Sequence, residues 1–444
     1  MTLRRVFRRL ALLLVLVGIP AQGEGPLYVG GAPAVADSAV LGTPVPGLPF
    51  HWPIDAVTHT ASVTYWTDQG MLGTLSKAQA DQLVATAFGA WAGAPTANIT
   101  FSKAGDLSTD IQTGAQLKSL ENDLANCSVA LPPGSLAKDR SIVYDKDGGI
   151  LTDLGDDPNT ILGFADAICL EGDGITNFFN RGFALLNGKG VTSSSDAELQ
   201  AVMTHEFGHM IGLDHSQINL DCLTGTCSSA ELNGVPIMFP VLLSTQTNLR
   251  TDDIAGVSTL YPGASFSSSR GRITGRVLFT DGVTPAQGFN VIARLVSDPQ
   301  ITAVSNVSGY LFTADAGNPL VQWPGVTPSP YGSRDQTLIG YYDLPGLPPG
   351  DYTVEVEAIH NSEPIPFVYD SGLGPIGDLG FQFPLPSLLP PPCTPEYLVS
   401  GTTATCNSTA ATTVSVAPGS PVSTGTDVIL INTPPRYDAW EDGP

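Results

Sequence analysis

Three of the chain's six histidines fall within one short stretch, HEFGHMIGLDH, from His205 to His215. His205 and His209 are four apart in a segment of helical pattern, so both rings leave the same face. Gly212 can take the left-handed conformation that ends a helix, which lets His215 return from outside it as a third donor. Three neutral imidazoles suit zinc and leave a fourth position for water, as a catalytic site requires. Glu206 stands about a quarter turn round the helix from His205. That is too far round to share the metal and near enough to reach the water. The chemistry expected is hydrolysis of an amide, with a polarised carbonyl and Glu206 moving a proton from water to the leaving amine.

Other elements must hold these side chains. Ser195, with Glu198 three residues on, forms a capping box that starts the helix running to Gly212. An earlier helix begins at Ser76 with Gln79 completing its box. Ala80, Leu83, Val84, Ala87, Phe88 and Trp91 then recur at helical spacing, up to Gly93 and Pro95. Strands are expected at ASVTYWTD, at NITFS (98–102), at SIVYDKDGG and at Phe183–Leu186. A last helix is expected from Thr251 or Asp252, each a good cap, to LYPG. The stretch 103–180 is otherwise less regular.

HEFGHMIGLDHS resembles the zinc signature of the metzincin metallopeptidases, HExxHxxGxxH. With Asp214 and Ser216 it is most similar to the matrixin branch, the relatives of matrix metalloproteinases. PIMFP at 236–240 looks like that family's Met-turn, which implies that Met238 lies beneath the metal as a packing residue. SKAQADQLVATAFGAWA, NITFS and TDDIAGVSTLYP resemble the branch's first helix, following strand and last helix. The resemblance covers about 49–263. It implies a twisted mixed sheet over two long helices, with an extended substrate paired to a sheet edge and Pro236 and Pro240 walling the pocket beyond the scissile bond. The chain departs from the animal matrixins in having no cysteine before Cys127 and only His51 and His59 upstream of the signature. Neither a thiolate latency switch nor a structural zinc is therefore expected.

The first residues read as an export signal: Arg4, Arg5, Arg8 and Arg9, then LALLLVLVGIP, then a small-residue cleavage site near Gly23. The run is short for a membrane span. A net charge of −23 argues against nucleic acid or an anionic membrane as a partner, since both need positive surface. Six cysteines in an exported chain suggest disulfides, and proximity in sequence favours 127–169, 222–227 and 393–406. DKDGGILTDLGDD offers Asp145, Asp147 and Asp153 as candidate calcium ligands. It fails the EF-hand pattern, and a solvated Asp-Gly turn is the competing reading. His51, His59 and His360 are isolated, and packed or surface roles suit them better than ligation.

Beyond Gly263 the helical pattern stops. GRITGRVLFTDG reads as strand then turn. In GDYTVEVEA, Tyr352, Val354, Val356 and Ala358 alternate with Thr353, Glu355 and Glu357. TTVSVAPGSPVSTGTDVILI supplies two more strands. These segments resemble the transthyretin-like, carboxypeptidase-regulatory type of β-sandwich, which implies an accessory module. The expected fold class is α+β, a metzincin-type catalytic domain followed by an all-β sandwich. The expected layout is signal 1–23, extended lead-in 24–48, peptidase domain 49–263, linker 264–270, sandwich 271–432 with inserts, and acidic tail 433–444. The functional expectation is a monomeric zinc endopeptidase that acts on proteins or peptides, secreted or held in a periplasm or at a cell surface. Two rivals stand beside it. One is a zinc-containing binding or adhesion protein that has lost catalysis and acts through its sandwich. The other is a chain whose sandwich binds glycans or proteins while proteolysis serves only maturation.

Overall fold

The computed structural model describes residues 26, 29–30, 48–127, 130–172, 177–191, 195–224, 226–243, 248–311, 336–358, 361–362, 365–366, 393, 395–419 and 421–431. The expected export signal and acidic tail, most of the lead-in and of the proline-rich insert near 384–395, and His360 lie outside the described residues.

The first sheet grows from strands whose residues alternate between two buried faces. It contains β1 (Val29–Gly30), β2 (Leu48–His51), β3 (Ala61–Thr67), β4 (Ile99–Asp106), β5 (Arg140–Asp145), β6 (Gly163–Gly172) and β7 (Asn177–Asn187). Their order is β1-β2-β7-β5-β3-β4, with β6 also on β7. β2, β7, β5, β3 and β4 run parallel, while β1 and β6 are antiparallel to their neighbours. The sheet is mixed, as the resemblance implies. Ile142 and Tyr144 of β5 and Ala184 and Leu186 of β7 pack on one face against α1 (Lys77–Ala92) and α4 (Asp196–Met210). Val143, Phe183 and Leu185 pack on the other against α2 (Gly114–Ala125) and α3 (Gly149–Leu154). Both faces are covered, as parallel strands require.

α1 and α4 begin at Ser76 and Ser195, the expected caps, each with its capping box. Phe88 of α1 stacks on Phe207 of α4 with centroids 3.9 Å apart, so the face of α4 behind the histidines is fixed by aromatic contact. α2 and α3 lie in the stretch the sequence leaves irregular. The Arg181 guanidinium donates to the carbonyls of Asp123, Leu124 and Asn126 and so satisfies the C-terminal end of α2. β7 runs well beyond the expected Phe183–Leu186 in the N-terminal direction, because its first half pairs with β6.

After α5 (Ser229–Gly234) comes α6 (Thr251–Leu260). Its N-cap is Arg250 rather than Thr251 or Asp252, and the Asp253 carboxylate accepts from the Arg250 N–H at 2.6 Å. The expected linker carries one helical turn, α7 (Phe266–Ser269).

Two further sheets follow. One holds β9 (Phe289–Leu295), β10 (Ala303–Val307), β12 (Gly350–Ala358), β15 (Glu396–Tyr397) and β16 (Val414–Val416). The other holds β8 (Gly271–Leu278), β11 (Tyr341–Leu347), β17 (Pro421–Val422) and β18 (Val428–Ile429). A small separate pair, β13 (Asn361–Ser362) with β14 (Ile365–Pro366), completes the strands described. Ile273, Val277, Val291, Ala293, Tyr352 and Val354 meet in the core between the sheets. α6 serves both halves of the chain. Its Ala255 belongs to the sandwich core, and Gly346 of β11 comes so near that a Cβ there would lie 2.7 Å from the Ala255 Cβ.

The disulfides are Cys127–Cys169, Cys222–Cys227 and Cys393–Cys406, the pairing proximity favours. Among the described residues no helix is long and apolar enough to cross a membrane.

Candidate metal centre

α4 carries His205, Glu206 and His209 on buried positions. Its C-terminal end is held by three side chains from elsewhere. Trp91 Nε1 donates to the Thr204 carbonyl at 2.8 Å, Trp52 Nε1 to Met210 at 2.9 Å, and the Tyr261 hydroxyl to Ile211 at 2.6 Å. The Met210 and Ile211 carbonyls, which the helix end leaves unpaired, are thus satisfied, while Trp91 holds the helix at Thr204, further back along it. Gly212 follows with φ +94°, the left-handed turn expected of it, and the Gly212 and Leu213 N–H groups close back onto His209 and Gly208. The chain then delivers His215 to the same point.

The Nδ1 atoms decide what the three rings can do. His205 Nδ1 lies 2.7 Å from the Ile237 carbonyl and His209 Nδ1 lies 2.9 Å from that of Leu213. A carbonyl only accepts, so both Nδ1 atoms carry the proton and both Nε2 atoms present lone pairs. Those Nε2 atoms are 3.2 Å apart, and that of His215 is 3.1 Å from that of His209. Zinc–nitrogen bonds of about 2.0–2.1 Å at tetrahedral angles require ligand nitrogens about 3.3 Å apart. Between His205 and His209 the two lone pairs face each other with no proton to place between them. A divalent cation is the partner this donor set fits. Burial holds all three rings neutral: it depresses His205 to about 4 and His209 to about 3, the latter helped by His205, and takes His215 well below its ordinary value. Among the described residues this is the one group of three or more metal-ligating side chains that converge.

Glu206 is buried, and its Oε2 has no hydrogen-bond partner. Burial pushes its carboxyl up to about 8, and a cation beside it would act in the opposite direction. A carboxylate basic enough to take a proton near neutrality suits a proton carrier. Gly163 of the edge strand β6 passes close over it, where a Cβ would meet Glu206 Cγ at 3.2 Å.

Met238 lies fully buried, with its Sδ against Gly208 of α4. Its turn is anchored by Asp253, which accepts from the N–H groups of Ile237 at 3.0 Å and Met238 at 3.1 Å. The Met238 carbonyl in turn accepts from Ser216 N–H at 2.9 Å, tying the turn to the His215 loop. A narrow pocket opens beside Glu206, lined by Leu162, Val202, Val235, Pro236 and Pro240.

The candidate calcium ligands are not brought together. Asp145 accepts from the N–H groups of Gly148 and Leu151, Asp147 from Gly149, and Asp153 from Gly114 at the start of α2. The backbone uses these carboxylates, and the three form no converging group. His51 binds the Trp52 carbonyl through Nδ1, and His59 lies exposed in a turn with positive φ. The supporting residues Asp252, Asp253, Trp91 and Tyr261 were not legible as such. The tandem aspartates at 252–253 were the available signal, and capping alone accounts for them in sequence.

Residues 57–262 match the family model of the matrixins, Peptidase_M10. The match supports a matrixin-like catalytic domain and a zinc metallopeptidase-like function there. No curated protein matches. Among solved structures, the minor pilin GBS52 of Streptococcus agalactiae matches at 12% identity over 38% of this chain and 48% of that one, with a TM-score of 0.15. A putative carbohydrate binding protein of Pseudomonas aeruginosa matches at 18% identity over 22% of this chain and 73% of that one, with a TM-score of 0.11. The chain spans about half the length of the pilin it matches, and likenesses this low carry no argument.

Proposed function

We propose that the chain is an exported zinc endopeptidase that cleaves proteins or peptides, with His205, His209 and His215 as metal ligands and Glu206 as general base and acid. The observation that carries this reading is the convergence of three imidazole Nε2 atoms beside a buried, unpartnered Glu206 oxygen. Zinc bound there supplies Lewis acidity, which makes water more acidic and a carbonyl more electrophilic. Glu206 Oε2 accepts a proton from the attacking water and returns it to the departing amine nitrogen, so the carboxyl ends as it began. Among the described residues β6 pairs with β7 alone, and its other edge can pair with an extended substrate. The adjoining pocket, walled by Val202, Pro236 and Pro240, receives an apolar side chain of that substrate. Three disulfides support an oxidising compartment, and strong negative charge supports solubility as a monomer outside the cell.

The test is digestion of casein and of a peptide library by the purified mature chain. Cleavage is expected to stop on chelation, return on adding zinc, and be lost in Glu206→Gln with zinc content unchanged. Cleavage that survives the chelator or the Gln substitution would overturn the reading.

A further inference from the structure

Of the three imidazoles, His215 alone lies off α4, and its Nδ1 has no hydrogen-bond partner. The other two rings are locked through Nδ1 by backbone carbonyls. The position of the His215 ring therefore depends on its backbone, and so on what holds the residues that follow.

Those residues, Ser216 to Asn219, are all buried; Gln217, Ile218 and Asn219 meet the β-sandwich directly, and Ser216 reaches it through Asp252 of α6. Ser216 Oγ donates to Asp252 Oδ2 at 2.6 Å. The same carboxylate accepts from Ser305 N–H at 2.7 Å and Ser305 Oγ at 2.9 Å. Gln217 Nε2 donates to Glu357 Oε1 at 2.7 Å, and Asn290 Nδ2 donates to the same oxygen at 2.9 Å. Ile218 packs with Ile292 and Ala303. Asn219 Nδ2 donates to the Gln300 carbonyl at 3.0 Å, and its Oδ1 accepts from Arg294 at 2.9 Å. Ser305, Glu357, Asn290, Ile292 and Arg294 all stand on sandwich strands. Three consecutive residues touch the sandwich and the fourth is tied to it through one carboxylate, all directly after the third imidazole.

We propose that the β-sandwich is a working part of the metal centre and that Ser305 is a positioning residue, setting the His215 loop through Asp252 and Ser216. Removing the Ser305 hydroxyl takes one hydrogen bond from a buried carboxylate, and movement of the loop relieves that cost. This inference rests on the proposed zinc site, so its test reads metal binding rather than turnover.

Zinc affinity is measured on the full mature chain by competition with a chromophoric chelator, alongside the visible spectrum of the cobalt-loaded protein and thermal melting of the metal-free form. Loss of outer partners of a metal ligand weakens binding about 10–100-fold. Asp252→Ala should fall in that range, and Ser305→Ala, which keeps its N–H, should lose roughly 3–10-fold. In the Asp252→Ala background Ser305→Ala should add nothing, because the route is already cut. Val428→Ala destabilises the sandwich core away from the junction and should leave zinc affinity and the cobalt spectrum unchanged. If Ser305→Ala does not fold, Gln217→Ala cuts the second tie and should weaken zinc binding likewise. Ser305→Ala binding zinc as the parent does, or Val428→Ala losing as much, would overturn the inference alone. A parent chain that binds no zinc would overturn the proposed function and the inference with it.

Discussion

Replacing Gly208 with alanine separates ordinary helix energetics from the packing beneath the metal centre. Gly208 lies in α4 between two imidazole-bearing positions, and a Cβ there would lie 2.1 Å from Met238 Sδ, 2.9 Å from Met238 Cε and 2.9 Å from Trp91 Cζ2. Ordinary contact between such atoms needs about 3.5 Å. Met238 has flexible torsions, but it is fully buried and its backbone is held by Asp253. Trp91 is pinned through Nε1 to Thr204. On an open helical face Gly→Ala gains roughly 0.8–1 kcal/mol. Gly89 of α1, where a Cβ would meet nothing within 4 Å, provides that reference. At Gly208 the overpacking penalty of about 1–3 kcal/mol or more outweighs that gain. The expected outcome is a metal-free protein less stable by about 1–2 kcal/mol in urea unfolding, while Gly89→Ala is more stable. Zinc affinity should fall as well, because Met238 follows Ile237, whose carbonyl orients His205. Met238→Ala removes both sulfur-side contacts, so Gly208→Ala should cost less in that background, with the Trp91 contact remaining. Equal stabilisation by Gly208→Ala and Gly89→Ala would refute the packing argument.

Three further outcomes are expected. Tyr261→Phe removes the hydroxyl that donates to Ile211 and accepts from Trp52 N–H, so it should cost about 1–3 kcal/mol in denaturant unfolding, read with Trp fluorescence. Burial pushes Glu357 up to about 7, against its hydrogen bonds from Gln217 and Asn290 and the charge of Arg294, with Glu355 adding to the rise. Its native form thus holds the proton more tightly than the unfolded chain, whose Glu titrates near about 4.3. The stabilisation is complete below that value and lost as pH rises through about 7. Moving from pH 8 to pH 5 should stabilise the parent over Glu357→Gln by on the order of 2 kcal/mol in urea midpoints compared at each pH. Gly346→Ala sets a side chain at φ +77° against Ala255, so it should lower the melting temperature and sharpen susceptibility to proteolysis between the domains.

The converging histidines were legible because the spacing of His205 and His209 and the helix that carries them obey the same period, and a glycine turn brings in His215. α4 has its capping box, its buried face and its terminating glycine in consecutive sequence, so local rules suffice. The same holds for α1. α2 carries comparable signals, a Thr113–Gln116 box and Leu117, Leu120 and Leu124 on one face. It was masked by the turn-rich residues around it, and its packing partner, the far face of β5 and β7, lies downstream in the chain. Carboxylate spacing alone left two readings open at Asp145, Asp147 and Asp153, since an aspartate that caps a turn and one that binds calcium have the same local sequence needs. Only the backbone N–H groups that each accepts decide between them. At α6 the sequence offers Thr251 and Asp252 as caps, but tertiary partners claim Asp252 and leave Arg250 at the boundary.

The sandwich shows where period-two reasoning stops. Alternation along β12 separates Tyr352, Val354 and Val356 from Glu355 and Glu357, and the first set does fill the sandwich core. The pattern makes the second face polar, and polar is usually taken as wet. Yet Glu355 and Glu357 are 3% and 8% exposed, because Arg294, Gln217 and Asn290 meet them at the junction. A buried polar seam of this kind gains little net stability over an apolar one. What it supplies is geometry: each carboxylate accepts only where its donors stand, so the junction has one register and cannot slide as an oily contact can. Asp252 and Asp253 extend that logic across α6. One fixes the His215 loop to the sandwich and the other fixes the Met238 turn, from adjacent positions on a single helical turn. A catalytic fragment ending near Gly263 would keep the Asp253 bonds and lose the Ser305 donors to Asp252, so its defect should fall on the loop bearing the third imidazole and spare the two on α4.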